Sequence, residues 1–185
     1  MKKLLSLALA VIMILSLCAC GGSGNEKPTE PETPSLELGY GKVNITPPYS
    51  VGLGGSGNDK TRRSTGLISY VYATCLALRQ NDEVYLIYTI DTLSVNDELA
   101  DLCRDKIIEV FAEEFPEIKL EPEHIYLMAT HGHSCPTPYW PDENEGKYRQ
   151  DFFKWIPQAG RAALMALAPA TMEVAQFDLE GMCRD

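Results

Sequence analysis

The chain has 185 residues, 45% of them apolar and 23% charged. That is enough to bury the core of one domain with a tail to spare, and it excludes collagen, coiled-coil and low-complexity chains. Against 16 basic residues stand 26 acidic ones, a net charge of −10, which argues against non-specific nucleic-acid binding and against a polybasic membrane-surface protein; solubility is the plain reading of the acidity.

Lys2 and Lys3 form a short basic start, and Leu4 to Leu17 is an apolar run broken only by Ser6 and Ser16. It is shorter than the ~20 residues that span a bilayer and suits the apolar part of a signal peptide. Leu17-Cys18-Ala19-Cys20 then resembles a bacterial lipobox. Cys18 fits worse, because Leu17 stands where a small residue is needed, so Cys20 is the expected lipidated residue. An ordinary cleaved signal or an uncleaved anchor is the alternative. Residues 1–19 are read as a lipoprotein signal peptide, and the protein as exported and lipid-anchored on the outer face of the bacterial cytoplasmic membrane. Removing them takes away two lysines and no acid, leaving −12. Ser23 to Ser35 has three prolines and no large apolar residue, so residues 20–35 read as a flexible tether.

The globular part is expected over 36–185. Leu38 to Ile45 alternates loosely before Thr46-Pro47-Pro48 and reads as a first strand stopped by prolines. Gly52 to Asp59 holds four glycines without a phosphate-loop pattern and reads as a flexible or close-approach loop. Leu67 to Leu78 and Val84 to Ile90 read as strands joined into a hairpin by Asn81-Asp82. Leu99, Leu102, Cys103, Ile107, Val110 and Phe111 recur at helical spacing within Asn96 to Phe115, and Pro116 stops that helix. Ile125 to Thr130 reads as a short buried strand. A polar, proline-rich loop follows to Lys147, then a helix over Tyr148 to Leu167, broken or begun afresh at Pro157. Thr171 to Leu179 reads as a last strand. Interspersed strands and helices with one hairpin favour an α/β or α+β layered domain: a mixed sheet flanked by helices.

Two of the three histidines are His131 and His133, just beyond the expected strand Ile125 to Thr130. In extended backbone they would project from one face and converge at the strand's end, where sites gather. A neutral imidazole is a good zinc ligand, and its neighbour can position a water. Gly132 removes the side chain that would stand on the opposite face. His124 reads as a loop histidine. Asp91, at the end of an apolar strand, either caps the following loop or faces the same end of the sheet as His131. Ser134 and Cys135 are conceivable nucleophiles, but they point apart and lie in no nucleophile-elbow or papain-like context. Beyond the signal, Cys75, Cys103, Cys135 and Cys183 show no zinc-ribbon spacing; they are either disulfide partners or small buried hydrophobes.

Four stretches, in order, resemble the N-terminal catalytic domain of the neutral/alkaline non-lysosomal ceramidases. Gly39-Tyr40-Gly41-Lys42-Val43-Asn44-Ile45-Thr46-Pro47 is similar to that family's opening strand. Val84 to Asp91, with Thr92-Leu93, is similar to its strand ending in Asp-Leu. Glu123-His124-Ile125 to Ser134 is similar to the stretch running into Thr-His-Thr-His-Ser, and Pro169 to Met182 to the strand before a Gly-hydrophobic segment. The resemblance implies a zinc-dependent amidohydrolase that cleaves a ceramide-like lipid amide to a fatty acid and a sphingoid base. It implies Zn2+ as cofactor, His131 as a metal ligand, and His133 beside the metal as a catalytic residue that orients substrate or water. Gly132, Asn44 and Cys135-Pro136 depart from the family pattern. The family's remaining ligands, a histidine, a glutamate and a tyrosine, would lie beyond residue 185, so the chain reads as an incomplete N-terminal part of such a domain. A lipid-anchored surface lipoprotein that binds with the same fold and does not hydrolyse is the competing reading.

Overall fold

The computed structural model describes residues 36–55, 62–138, 143–178 and 181. The expected signal peptide, the tether, Cys20 and Cys183 lie outside the described residues. Five strands form one mixed sheet: β1 (Leu36–Asn44), β2 (Tyr72–Gln80), β3 (Glu83–Ile90), β4 (Ile125–Ala129) and β5 (Ala168–Pro169). Their order is β4-β3-β2-β1-β5. Only the β3–β4 pair is parallel; the other pairs are antiparallel. Helix α1 (Asp97–Glu114) connects β3 to β4, as a parallel pair requires. Helix α2 (Glu143–Met165) packs across β1 and β2.

Local chemistry accounts for these elements. Asn81 is left-handed at φ 56°, a conformation asparagine tolerates, and with Asp82 it closes the β2–β3 hairpin between Gln80 and Glu83. In β3 the side chains alternate, with Val84, Leu86, Tyr88 and Ile90 buried. Helix α1 starts where Asn96 Oδ1 accepts from the Leu99 N–H at 3.0 Å, with Asp97 and Glu98 on the positive end of its dipole. It buries Leu99, Cys103, Ile107 and Phe111. Helix α2 lies almost directly on β1: a Cβ added to Gly39 or Gly41 would stand 1.9 Å from the carbonyl oxygen of Ala163 or Ala159. Only glycine allows that approach.

Four expectations need correction. The strand expected over Leu67 to Leu78 begins only at Tyr72. Its would-be partner β1 ends at Asn44 before two prolines, and Val71 is held instead by Thr46, whose hydroxyl accepts from the Val71 N–H at 2.9 Å. The polar loop expected to reach Lys147 gives way to α2 at Glu143, and α2 runs unbroken through Pro157. Proline there forfeits one backbone bond, at about 3 kcal/mol, while Phe152 and Ile156 before it and Ala159 and Ala163 after it are all buried in one core. The last strand is not Thr171 to Leu179. Pairing with β1 involves only Ala168 and Pro169, with the Ala170 N–H reaching Leu36 O at 2.8 Å. Residues 171–178 are exposed.

Of the two readings of the cysteines, the second holds for Cys75 and Cys103, which are buried, whereas Cys135 is half-buried. Cys75, Cys103 and Cys135 are free thiols. Burial pushes Cys75 and Cys103 up to about 12, so they remain neutral core residues at physiological pH.

Candidate active site

The site is built at the carboxyl ends of the parallel strands β3 and β4, where open α/β sheets gather their ligands. Asp91 follows β3 directly. Its backbone N–H donates to Tyr72 O at 2.9 Å; its Oδ2 accepts from the Tyr72 N–H at 2.8 Å. Its Oδ1 accepts from the Thr130 hydroxyl at 3.1 Å. Of the two roles open to it, these contacts match the second. Asp91 ties the start of β2 to the residue before His131, at the end of the sheet that carries the histidines.

Strand alternation is not what brings His131 and His133 together. β4 ends at Ala129, and His131 is left-handed at φ 58°. A non-glycine residue there costs of order 1–3 kcal/mol and persists only where its surroundings over-determine it. Here they do: the Thr130 N–H donates to Ile90 O at 2.9 Å and the Gly132 N–H to Thr92 O at 3.2 Å. His131 Nδ1 lies 2.7 Å from Leu93 O. The rings of His131 and His133 meet edge to face, with centroids 5.0 Å apart and planes at 67°. Both residues are exposed. Gly132 has a further reason beyond an open face: a Cβ would sit 2.4 Å from the Cys135 sulfur.

The Leu93 carbonyl can only accept, so His131 Nδ1 carries a proton, and in the neutral imidazole Nε2 is then the atom with the lone pair. That is the tautomer of a metal-bound imidazole oriented by a backbone carbonyl. The donor set fits part of a zinc site, for a catalytic zinc takes three protein ligands. Among the described residues, no group of three His, Cys, Asp or Glu could hold a metal ion.

The remaining candidates fall away from chemistry. His124 lies at the opposite end of β4, closing the short 3-10 turn Pro122–His124, with its ring against Tyr85 at 4.7 Å. Ser134 Oγ accepts from Arg62 Nη2 at 2.6 Å, and no base among the described residues takes its proton. The Cys135 thiol is pushed up, first by burial and then by the negative charge of Asp91, which disfavours the nucleophilic thiolate. Sequence reasoning missed Arg62 and Gly55, which hold the histidine loop. The glycine-rich stretch read as a close-approach loop was the one signal for Gly55; Arg62 meets His133 across 71 positions, which no local pattern reveals.

No family model matches the sequence, and no curated protein does. Solved structures do resemble it. Neutral ceramidase from Pseudomonas aeruginosa superposes with a TM-score of 0.60 at 17% identity, over 75% of this chain and 23% of that one. A ceramidase complexed with C2 gives 0.59 at 17% identity, over 74% and 22%. The chain thus spans about a quarter of the length of the structures it matches. At this identity the likeness concerns the fold: a mixed five-stranded sheet with two helices, α+β, like part of a ceramidase.

Proposed function

We propose that this chain carries the histidine-pair portion of a ceramidase-type amide-hydrolysing centre. The observation that supports this most is the pair itself. Two exposed imidazoles meet at the carboxyl end of a ceramidase-like sheet, one of them fixed with Nε2 free. In this reading His131 binds a zinc ion through Nε2. His133, 5.0 Å away centroid to centroid, orients the attacking water or the amide. Asp91 steadies the turn through Thr130. The bound ion supplies a polarised amide carbonyl and a water of lowered pKa. Water adds across the C–N bond, giving a fatty acid and the amine of a sphingoid base. The further ligands that a catalytic zinc needs are not found as a group among the described residues. In the same reading Cys20, at the end of the lipobox-like stretch, is lipidated, and the centre works outside the cell beside a lipid substrate.

Zinc content by elemental analysis, beside hydrolysis of a labelled ceramide, tests the reading. In a protein that carries the complete ligand set, His131→Ala removes a ligand and is expected to abolish zinc retention and turnover together. His133→Ala is expected to keep most of the zinc and lose turnover. Full zinc and full activity in His131→Ala would overturn the assignment and leave the binding lipoprotein as the better account. Membrane partition tests the anchor, since Cys20→Ala should release the protein or leave its precursor unprocessed.

A further inference from the structure

We infer that Arg62 is the positioning residue of the histidine loop: its guanidinium clamps the His133–Ser134 segment onto the glycine-rich segment beneath it. The inference rests on the reading of His131 and His133 as the site, and it gives that site a specific support.

Residues 51–54 run as an extended, strand-like segment bridged on both sides. On one side, the Leu53 N–H donates to Arg62 O at 2.9 Å and the Ser64 N–H to Val51 O at 2.8 Å. On the other, the Gly54 N–H donates to Cys135 O at 2.9 Å, and Leu53 forms a bridge with Pro136. Arg62 reaches across this segment to the histidine loop. Nη1 donates to His133 O at 2.7 Å and lies 3.4 Å from Gly55 O; Nη2 donates to Ser134 Oγ at 2.6 Å. One rigid fork thus holds a backbone carbonyl and the next residue's hydroxyl at once, which a lysine's single ammonium cannot reproduce. The ring of His133 is then seated on Gly55. That residue is left-handed at φ +83°, and a Cβ there would stand 2.6 Å from His133 Cγ. Gly55 gives the ring its floor, His131 stands beside it, and Arg62 fixes the backbone that carries it.

The test uses the whole chain with labelled histidines. In the wild type a ring-to-ring cross-peak between His131 and His133 is expected from their 5.0 Å separation. Arg62→Ala should lose that cross-peak while slow amide exchange in β2 and β3 is kept. Arg62→Lys should not restore it, and Ser134→Ala, which removes half of the fork, should weaken it. Ile107→Val, a core change on α1, lowers stability without touching the loop and should keep the cross-peak. Where the wild type hydrolyses a labelled ceramide, Arg62→Ala should lower kcat on the order of tenfold with KM held, as for a misplaced catalytic group. An unchanged cross-peak in Arg62→Ala overturns the inference, as does an equal loss in Ile107→Val, which would make the effect one of general stability. A wild type that hydrolyses no amide would sink the functional reading, and the cross-peak would still decide the role of Arg62.

Discussion

The two faces of the sheet are made from the same strands and have opposite fates. On the inner face Ala73, Cys75, Ala77, Leu86, Tyr88 and Ile90 are fully buried in one core with α1 and α2. On the outer face Leu38, Tyr40, Leu76, Tyr126 and Met128 keep between 39% and 53% of their surface. The register sets these side by side: Tyr40 opposite Leu76, Leu76 opposite Ile87, and Ile87 opposite Tyr126. A solvated sheet face ordinarily alternates to polar residues. Here an apolar row crosses four strands, and among the described residues no helix lies over it. The closed face explains why the domain folds, and the open face predicts how it misbehaves, because contiguous exposed apolar surface promotes association.

The comparison breaks most sharply at Gly41. Valine there would drive its Cβ into the Ala159 carbonyl, 1.9 Å away. That oxygen belongs to a helix backbone and cannot swing aside, so α2 must lift from β1. We expect a loss of more than about 4 kcal/mol, in the range reserved for disrupted cores, seen as the absence of a cooperative melt. A Gly41→Val protein that melts normally would contradict the close packing. Next in size is Phe111→Ala on α1. Phe111 is fully buried, its ring 3.0 Å from where a Gly160 Cβ would lie. Urea unfolding should show a loss of about 3–5 kcal/mol from lost burial and the cavity left behind.

Much of the closed face was legible in the sequence because its signals are local. The apolar run of Val84 to Ile90, the Asn81-Asp82 turn and the helical spacing from Leu99 to Phe111 each act within a few residues, and each element they define is present. What was not legible depended on partners. The start of β2 is set by where β1 stops, and the shortness of β5 by a pairing with β1 that engages only Glu37 and Leu38. The continuity of α2 through Pro157 is set by burial on both sides of that residue. At the site, the juxtaposition of His131 and His133 was legible but its cause was not. The left-handed turn at His131 depends on the carbonyls of Ile90, Thr92 and Leu93, which lie about forty positions away in sequence.

The closed face also carries an alkaline pH signature set by burial. Cys75 on β2 and Cys103 on α1 are pushed by burial from 9.0 to about 12. The folded state therefore favours the neutral thiols. Their contribution is fully present below pH 9.0 and is lost as pH rises towards about 12. Urea midpoints should hold through neutral pH and fall across that alkaline window. The double variant Cys75→Ala, Cys103→Ala should flatten the fall. Some slope should survive, because burial pushes the Tyr88 phenol up as well. An unchanged slope in the double variant would mean that the alkaline loss comes from elsewhere.

The smallest expected effect on stability belongs to the open face, and it sharpens the comparison most. Tyr40→Thr, Leu76→Thr and Tyr126→Thr keep strand-forming side chains while removing apolar surface that is already between 39% and 53% exposed. Combined, they should leave the midpoint of unfolding within about 0.5 kcal/mol per site, as for surface changes generally. Self-association is what they should change. Sedimentation velocity across a concentration series should show the wild type shifting to larger species and the triple variant remaining monomeric. The inner-face residues opposite them offer a control, since Ala77→Thr would push a hydroxyl into a fully buried position and should destabilise the fold without curing association. If the outer triple variant unfolds as readily as an inner-face one, then something packs on that face in solution, and the two faces are less different than their exposures indicate.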